Sequence, residues 1–544
     1  MTGTGPVPPK RDRVEGHHMS EASFARVLLA TACPGSPALW AGSFTLYSPN
    51  PSIYNSERVP KINAFGMGDG WRGGKPKGGM DSTICMNDGM TQRPMNRKKK
   101  VLLIFPREKG IKFSNDTLYP FPILGLTLLA ALFPKTYEVR IINEVIEEVD
   151  FDAEVDLVGI TALTCVIKRA YAIADRFRER GVKVILGGVH PSLLPEETKE
   201  HADSVFIGEA EGMLDKVIQD FEAGELKPFY KNREWSDLRN MPLPRRDLLN
   251  KRYRPFFKVI ETTRGCPNRC EFCSVPIING KRYRLRPLEE IDQELSAIVK
   301  KKGEYLFLAD DNVTAKEDYA FDLFDLFKHY GVKWMGFTTI KIALNEALLE
   351  KARESGCVSL FIGFESLLQE NLDGVSKRFV DAKELSKWVK TIQDHQIGIQ
   401  GAFIFGFDED DPTVFKKTVD FVQKNNIELP TFSILTPFPG TPLQKRLEEE
   451  GRIFDRDWSH YDMSHAVFRP NKMTVQELQD GYLWAQKYIC APRSILKRLL
   501  WGPRNHFFHF LMSNFILRGA QMEVIRRIKE KELPYENPAH LRQS

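Results

Sequence analysis

The stretch TTRGCPNRCEFCSVP, residues 262–276, sets Cys266, Cys270 and Cys273 at the spacing C-x3-C-x2-C. Thiolates that close together are metal ligands before they are anything else. A tetrahedral zinc site takes four protein ligands, and so does an ordinary four-iron cube. Three thiolates on a cube leave one iron without a protein ligand, open to an exogenous one. A zinc loop with a remote fourth ligand is the alternative. The other cysteines, at 33, 85, 165, 357 and 490, are scattered, so the chain has no secreted disulfide framework and suits a reducing cytoplasm. Cys357, in ESGCVSL before a strand, reads as a small buried hydrophobe, and Cys165 as a packing residue.

A cysteine loop needs a scaffold, and 544 residues suffice for two or three domains. Hydrophobic content of 42% and charged content of 27% are ordinary for globular protein, and a net charge of +5 does not imply a polyanion partner. No apolar run reaches the roughly 18 residues of a membrane span. Residues 1–97 are rich in Gly, Pro, Ser, Met and Asn without periodicity. They read as a disordered extension or an over-long reading frame, in which Cys33 and Cys85 carry no function.

From KKKVLLIFP onward, short apolar runs alternate with helical stretches. Strands are expected at Val101–Phe105, Glu138–Ile142, Leu157–Thr161, Val182–Leu186 and Ser204–Ile207. In VIKRAYAIADRFRERG, Ala170, Ile173 and Phe177 share one helix face. Near-continuous apolar strands with helical crossovers predict a doubly wound parallel sheet over 98–230. A Pro- and Arg-rich linker, 231–254, follows. A second series over 255–450 has strands expected at Lys258–Thr263, Glu304–Ala309, Trp334–Thr338, Ser359–Phe364, Gln400–Phe405 and Phe432–Thr436. Six β/α units predict a partial (β/α)6 barrel, with chemistry at the strand C-termini. The cysteine loop follows the first of them. Residues 451–544 read as helical and basic.

The cysteine spacing, with Phe272 before the last cysteine, resembles the signature of the radical S-adenosylmethionine (SAM) enzymes. The resemblance implies a [4Fe–4S] cluster on Cys266, Cys270 and Cys273, whose fourth iron is chelated by SAM. Reduction by a donor such as flavodoxin or ferredoxin then yields a 5′-deoxyadenosyl radical. FLADDNVT, FIGFES and GAFIFGFDED end later strands as the family's do, which implies cofactor contacts from Asp310, Asp311, Asn312, Glu365, Ser366, Gly406 and Asp408. The preceding sheet resembles the cobalamin-binding domain of the cobalamin-dependent radical SAM enzymes. The matching residues are Gly187, Gly188 and His190 in LGGVHPSLLPEE and Gly208, Glu209 and Gly212 in FIGEAEG. Glycines at strand ends let backbone approach a bulky ligand. The D-x-H-x-x-G loop that supplies a cobalt-ligating histidine in other cobalamin proteins is absent after VLLIFPREKG. Bound cobalamin would lack that ligand, as in many members of the subgroup.

HYDMSHAVFRPNKMTVQELQDGYLWAQKYI resembles the C-terminal region of the branch that acts on hopanoids, other isoprenoid lipids and tetrapyrroles, which makes Tyr461, Asp462, His465 and Tyr488 substrate-side candidates. The tail PRSILKRLLWGPRNHFFHFLMSNFILRG suits either a peripheral membrane contact or an amphipathic helix on the barrel. No nucleic-acid module is visible. The expected function is methylation of an unactivated carbon of an apolar lipid or tetrapyrrole by a cytoplasmic enzyme. Cyclisation or rearrangement without methyl transfer is the alternative, and a non-catalytic metal- or cobalamin-binding protein the rival from another class. A methylthiotransferase is disfavoured, since residues 98–250 hold only Cys165 where those enzymes carry three further cysteines.

Overall fold

Strand β1 (Lys99–Phe105) alternates between two cores. Val101 and Leu103 pack on one face of the sheet, and Leu102 and Ile104 on the other. A strand apolar on both sides belongs in the middle of a parallel sheet with helices on each face. That is its place in the computed structural model, which describes residues 97–107, 123–232, 234–250, 257–501 and 506–530. The N-terminal extension, but for Arg97, lies outside these residues, as do most of the loop after β1 and residues 531–544. The described residues form part of one compact unit, 92–544.

After β1 come α1 (Leu124–Leu132), β2 (Tyr137–Asn143), β3 (Leu157–Thr161), α2 (Ile167–Glu179), β4 (Lys183–Gly187), β5 (Ser204–Ile207), α3 (Leu214–Ala223) and β6 (Phe229–Lys231). Their sheet is parallel throughout, in the order β2-β1-β3-β4-β5-β6. Helix α2 buries Ala170, Ile173 and Phe177, as their spacing predicts. Strand β6 was not expected: three residues at a sheet edge carry too little periodicity to be seen.

The second sheet comprises β7 (Phe257–Ile260), then, beyond the short hairpin of β8 (Thr263–Arg264) and β9 (Arg284–Leu285), α4 (Leu288–Ile298), β10 (Tyr305–Leu308), α5 (Glu317–Tyr330), β11 (Lys333–Thr338), α6 (Glu346–Glu354), β12 (Cys357–Glu365), α7 (Leu385–Asp394), β13 (Gly398–Phe405), α8 (Val414–Lys424) and β14 (Thr431–Ile434). Its order is β14-β13-β12-β11-β10-β7, all parallel, and β14 does not pair with β7. This is the open half-barrel the six repeats predicted. The first strand is shorter than expected. Asp310, at the end of β10, accepts hydrogen bonds from the Thr262 amide (2.7 Å) and the Thr262 and Thr263 hydroxyls, and so turns the chain out of the sheet toward β8.

The C-terminal part is helical: α9 (Pro442–Glu449), α10 (Val475–Ile489), α11 (Pro492–Trp501) and α12 (Phe507–Glu530). Helix α10 starts on a capping box, Thr474 with Glu477, which satisfies two otherwise orphaned amides. Helix α12 is docked on the barrel. Phe510 is fully buried so close to Gly398 that a Cβ there would lie 2.1 Å from its ring. Asn514 donates to the Glu428 carbonyl (2.9 Å) and accepts from Arg498 (2.9 Å), and Arg518 donates to the Cys490 carbonyl (2.7 Å). Among the described residues no helix is long and apolar enough to cross a membrane.

Candidate active site

A cavity of about 620 Å³ fills the half-barrel. Alternating residues of the strands line it: Phe257 and Val259 of β7, Phe307 of β10, Met335 and Phe337 of β11, Phe361, Gly363 and Glu365 of β12, Gln400, Ala402 and Ile404 of β13, and Thr431 and Ser433 of β14, with Thr338 and Ile434 at the strand ends. Phe105 and Asn143, the last residues of β1 and β2, reach the same cavity from the first sheet. Helix α12 supplies another wall through His509, Ser513, Leu517 and Gln521.

The cysteine loop closes the cavity at the strand C-termini. Gly265 has a φ of +90°, and a Cβ there would sit 2.5 Å from the Arg282 carbonyl, so only glycine fits. Its amide donates to Asp311 (2.8 Å), which also accepts from Asn279 (3.1 Å). Arg264, one residue earlier, is buried among the carboxylates of Glu209 (3.3 Å), Glu211 (2.9 Å) and Glu261 (2.7 Å). Phe272 lies edge-on to Phe407 (6.3 Å between centroids). Together these contacts preset the loop's path.

Cys266, Cys270 and Cys273 all line the cavity. Burial raises each thiol, Cys270 to about 11 and Cys273 to about 12. Yet among the described residues no three His, Cys, Asp or Glu side chains converge where one metal ion could sit. On a single zinc, three thiolates would crowd to within about 4 Å of one another. Three thiols on one cavity wall are the donor set for a cluster that takes one thiolate per iron.

Glu365 also faces the cavity, with a left-handed φ of 61° where the β12–β13 register shifts. Its carboxylate pairs with Lys377 (2.7 Å), which is buried and also donates to the Gly363 carbonyl (2.7 Å). A backbone kink of this kind at a strand end re-aims a side chain. The arrangement offers a carboxylate and an ammonium beside the thiols, a fit for a zwitterionic ligand such as the amino-acid part of SAM.

The other expected residues separate. Phe272 and Asp311 line the cavity, but Asp310, Asn312, Ser366, Gly406 and Asp408 do not. Asp310 pins Thr262 and Thr263, and Ser366 accepts from the Leu368 amide (3.1 Å). The space beside Gly406 is taken by Leu478 and Phe468. Asp408 pairs with Arg446 (2.9 Å) and Arg452 (2.8 Å). In the first sheet, Gly208 has open space beside it, whereas Gly188 is packed against Thr161. His190 is buried 3.4 Å from Glu197, and Glu209 is held by Arg264 and Arg284. Tyr461, Asp462 and His465 are likewise off the cavity: the Tyr461 hydroxyl donates to the Asp455 carbonyl (2.9 Å) and Asp462 accepts from His465 (2.9 Å). The lining member of that loop is Met463. Tyr488 stands on the surface beside Trp484. Polar types near a strand end do not reveal which side chain turns inward. Lys377 was missed because its loop carries no motif, and the α12 wall because its i, i+4 stripe mixes His, Ser, Leu and Gln.

Residues 260–422 match the Radical SAM superfamily and residues 116–218 the B12 binding domain. The chain is 33% identical over 432 residues to a bacteriochlorophyllide d C-12(1)-methyltransferase of Chlorobaculum tepidum, covering 77% of this chain and 93% of that one. It is 26% identical over 427 residues to a hopanoid C-2 methylase of Rhodopseudomonas palustris, covering 74% and 78%. In fold it is similar to the radical SAM methyltransferase TsrM from Kitasatospora setae with cobalamin and a [4Fe–4S] cluster bound, at a TM-score of 0.57 and 15% identity, over 80% of this chain and 99% of that one. The cysteine loop, the barrel and the sheet before it are thus those of an enzyme whose cofactors are a [4Fe–4S] cluster, SAM and cobalamin, and the chain belongs to the cobalamin-dependent methyltransferase family of the radical SAM superfamily.

Proposed function

We propose that this enzyme methylates an unactivated carbon of a large, mainly apolar substrate, a tetrapyrrole or a polycyclic isoprenoid lipid, held inside the half-barrel. The observation that carries the reading is the cavity's lining: Phe257, Phe307, Phe337 and Phe361 form an aromatic interior, while the charged lining residues, Asp311, Glu365 and Lys377, stand at or beyond the strand C-termini. A charged substrate would lose its hydration among these strands without a counter-charge, whereas an apolar skeleton gains from burial. The substrates named for the two relatives are of these two kinds.

When bound, the cluster with SAM supplies a hydrogen-abstracting radical, and cobalamin supplies the methyl group. The chain's own task is positioning and exclusion of water. Cys266, Cys270 and Cys273 would hold the cluster, and Glu365, Lys377 and Asp311 would hold the polar end of SAM. Phe105 and Asn143 bring the C-terminal edge of the first sheet, where such folds bind ligands, onto the same cavity. A flavodoxin or ferredoxin delivers the electrons.

The test is an anaerobic assay with cobalamin, a reductant and extracts enriched in pigments or lipids from a strain lacking the gene. Substrate turnover is expected to yield 5′-deoxyadenosine and S-adenosylhomocysteine in near-equal amounts. Turnover with 5′-deoxyadenosine but without S-adenosylhomocysteine rejects methyl transfer in favour of cyclisation or rearrangement.

A further inference from the structure

Helix α12 uses two adjacent stripes for two purposes. Phe510, Asn514 and Arg518 fix it to the barrel through the contacts given above. The neighbouring stripe, His509, Ser513, Leu517 and Gln521, repeats every fourth residue and so shares one face, which lines the cavity. An anchored helix presents such a stripe in a set geometry.

Gln521 stands out on that stripe. It is 4% exposed, and its Oε1 has no hydrogen-bond partner. Among the described residues, it is the one cavity-lining residue with a buried side-chain nitrogen or oxygen in that state. A buried amide oxygen without a partner is costly, and native proteins rarely keep one unless a ligand or an ordered water completes it. The helix gives the cavity no charged side chain, and burial pushes the His509 imidazole down to about 4, which keeps that wall neutral at physiological pH. A carboxylate or phosphate would meet no counter-charge there. A neutral hydroxyl can donate to the Oε1 and tolerate the surroundings.

We infer that Gln521 is a specificity-determining residue whose side-chain Oε1 accepts a hydrogen bond from a neutral hydroxyl on the otherwise apolar substrate. The inference rests on the proposed reading of the cavity as the substrate site. It predicts selection for oxygenated members of the substrate class and rejection of the parent hydrocarbon.

Two probe pairs test this on the full-length, cluster-loaded protein by equilibrium dialysis under anaerobic conditions. One is a chlorin bearing a hydroxyethyl group against its vinyl counterpart. The other is a pentacyclic triterpene alcohol against its parent hydrocarbon. At least one pair is expected to bind the wild type, with the hydroxylated member about tenfold tighter, the worth of one hydrogen bond. Gln521→Leu should erase that preference by weakening the hydroxylated probe alone, and Gln521→Asn should restore part of it. Iron content and the thermal midpoint report folding, and removal of an unsatisfied amide should leave the midpoint of the ligand-free protein unchanged or higher. A preference that survives in Gln521→Leu, or is absent from the wild type, overturns the inference and spares the proposed function. A clear fall in the midpoint of Gln521→Leu overturns it too, by showing the amide satisfied within the protein. If neither pair binds the wild type, the proposed substrate class falls, and the inference with it.

Discussion

The thiols of Cys266, Cys270 and Cys273 are weak acids in a buried wall, and burial raises all three. Only thiolates ligate iron, so assembly of a cluster on these three thiols would release three protons and would stabilise the loop. Replacing the three cysteines by alanine is expected to lower iron from about four per chain to less than one and to abolish the brown absorbance, because no other group replaces a thiolate on the cube. Iron analysis with visible spectroscopy checks this; full cluster content in the triple variant would refute the assignment. The neighbouring Glu365–Lys377 pair is a residue-scale device of the same kind. Its partners lie twelve positions apart and meet at a kinked strand end.

At the scale of elements, the junction of β13, β14 and α12 holds a buried carboxyl. Glu428 accepts hydrogen bonds from the Ile399 amide (2.8 Å) and the Gln393 side chain (3.1 Å), while its own carbonyl accepts from Asn514 of α12. Burial pushes its carboxyl up to about 8 from an ordinary 4.5. The folded state therefore keeps a proton that the unfolded chain has lost, and stability falls by up to about 1.4 kcal/mol per pH unit as pH rises from 4.5 toward 8. Glu428→Gln removes the ionisation and keeps one of the two acceptor oxygens, its NH2 taking the place of the other. Its stability relative to the wild type should rise steadily from pH 4.5 to pH 8, whatever constant offset the lost contact adds, measured by denaturant unfolding under argon at a series of pH values. A constant gap would show that Glu428 does not titrate in that range.

At the scale of the whole molecule, ion pairs tie the loop after β5 to the cysteine loop. Glu209 binds Arg264 and Arg284, and Glu211 and Glu261 also bind Arg264, all with little exposure. The cobalamin-type sheet and the cluster-bearing barrel thereby meet through charges that water does not screen. Arg264→Leu leaves three carboxylates without that partner and is expected to cost about 3–5 kcal/mol, the usual penalty for breaking one side of a buried pair. Combining it with Glu209→Gln should cost less than the sum of the two single changes, since the second removes a charge the first left stranded. Thermal or denaturant unfolding of the four proteins gives the comparison. An additive result would show that the pairs are not coupled.

Sequence alone showed most of the strands and helices of both sheets, though not the edge strand β6, and singled out the cysteine loop. Both depend on local information: apolar strands, period-3.6 helix faces such as Ala170, Ile173 and Phe177, and a thiol spacing that resembles a family signature. It did not determine which polar residue at a strand end turns inward. Asp310 and Asp311 are adjacent, yet one pins Thr262 and the other lines the cavity, and Met463 lines it where Tyr461, Asp462 and His465 do not. Whether the basic, aromatic tail packs on the barrel was equally beyond its reach. The fold decided this for α12 through one close fit, Phe510 against Gly398, between residues more than a hundred positions apart. Lys377 reached Glu365 in the same way, across a loop without a motif. Such choices are made by contacts between segments distant in the chain, whose geometry exists only once both sheets are packed.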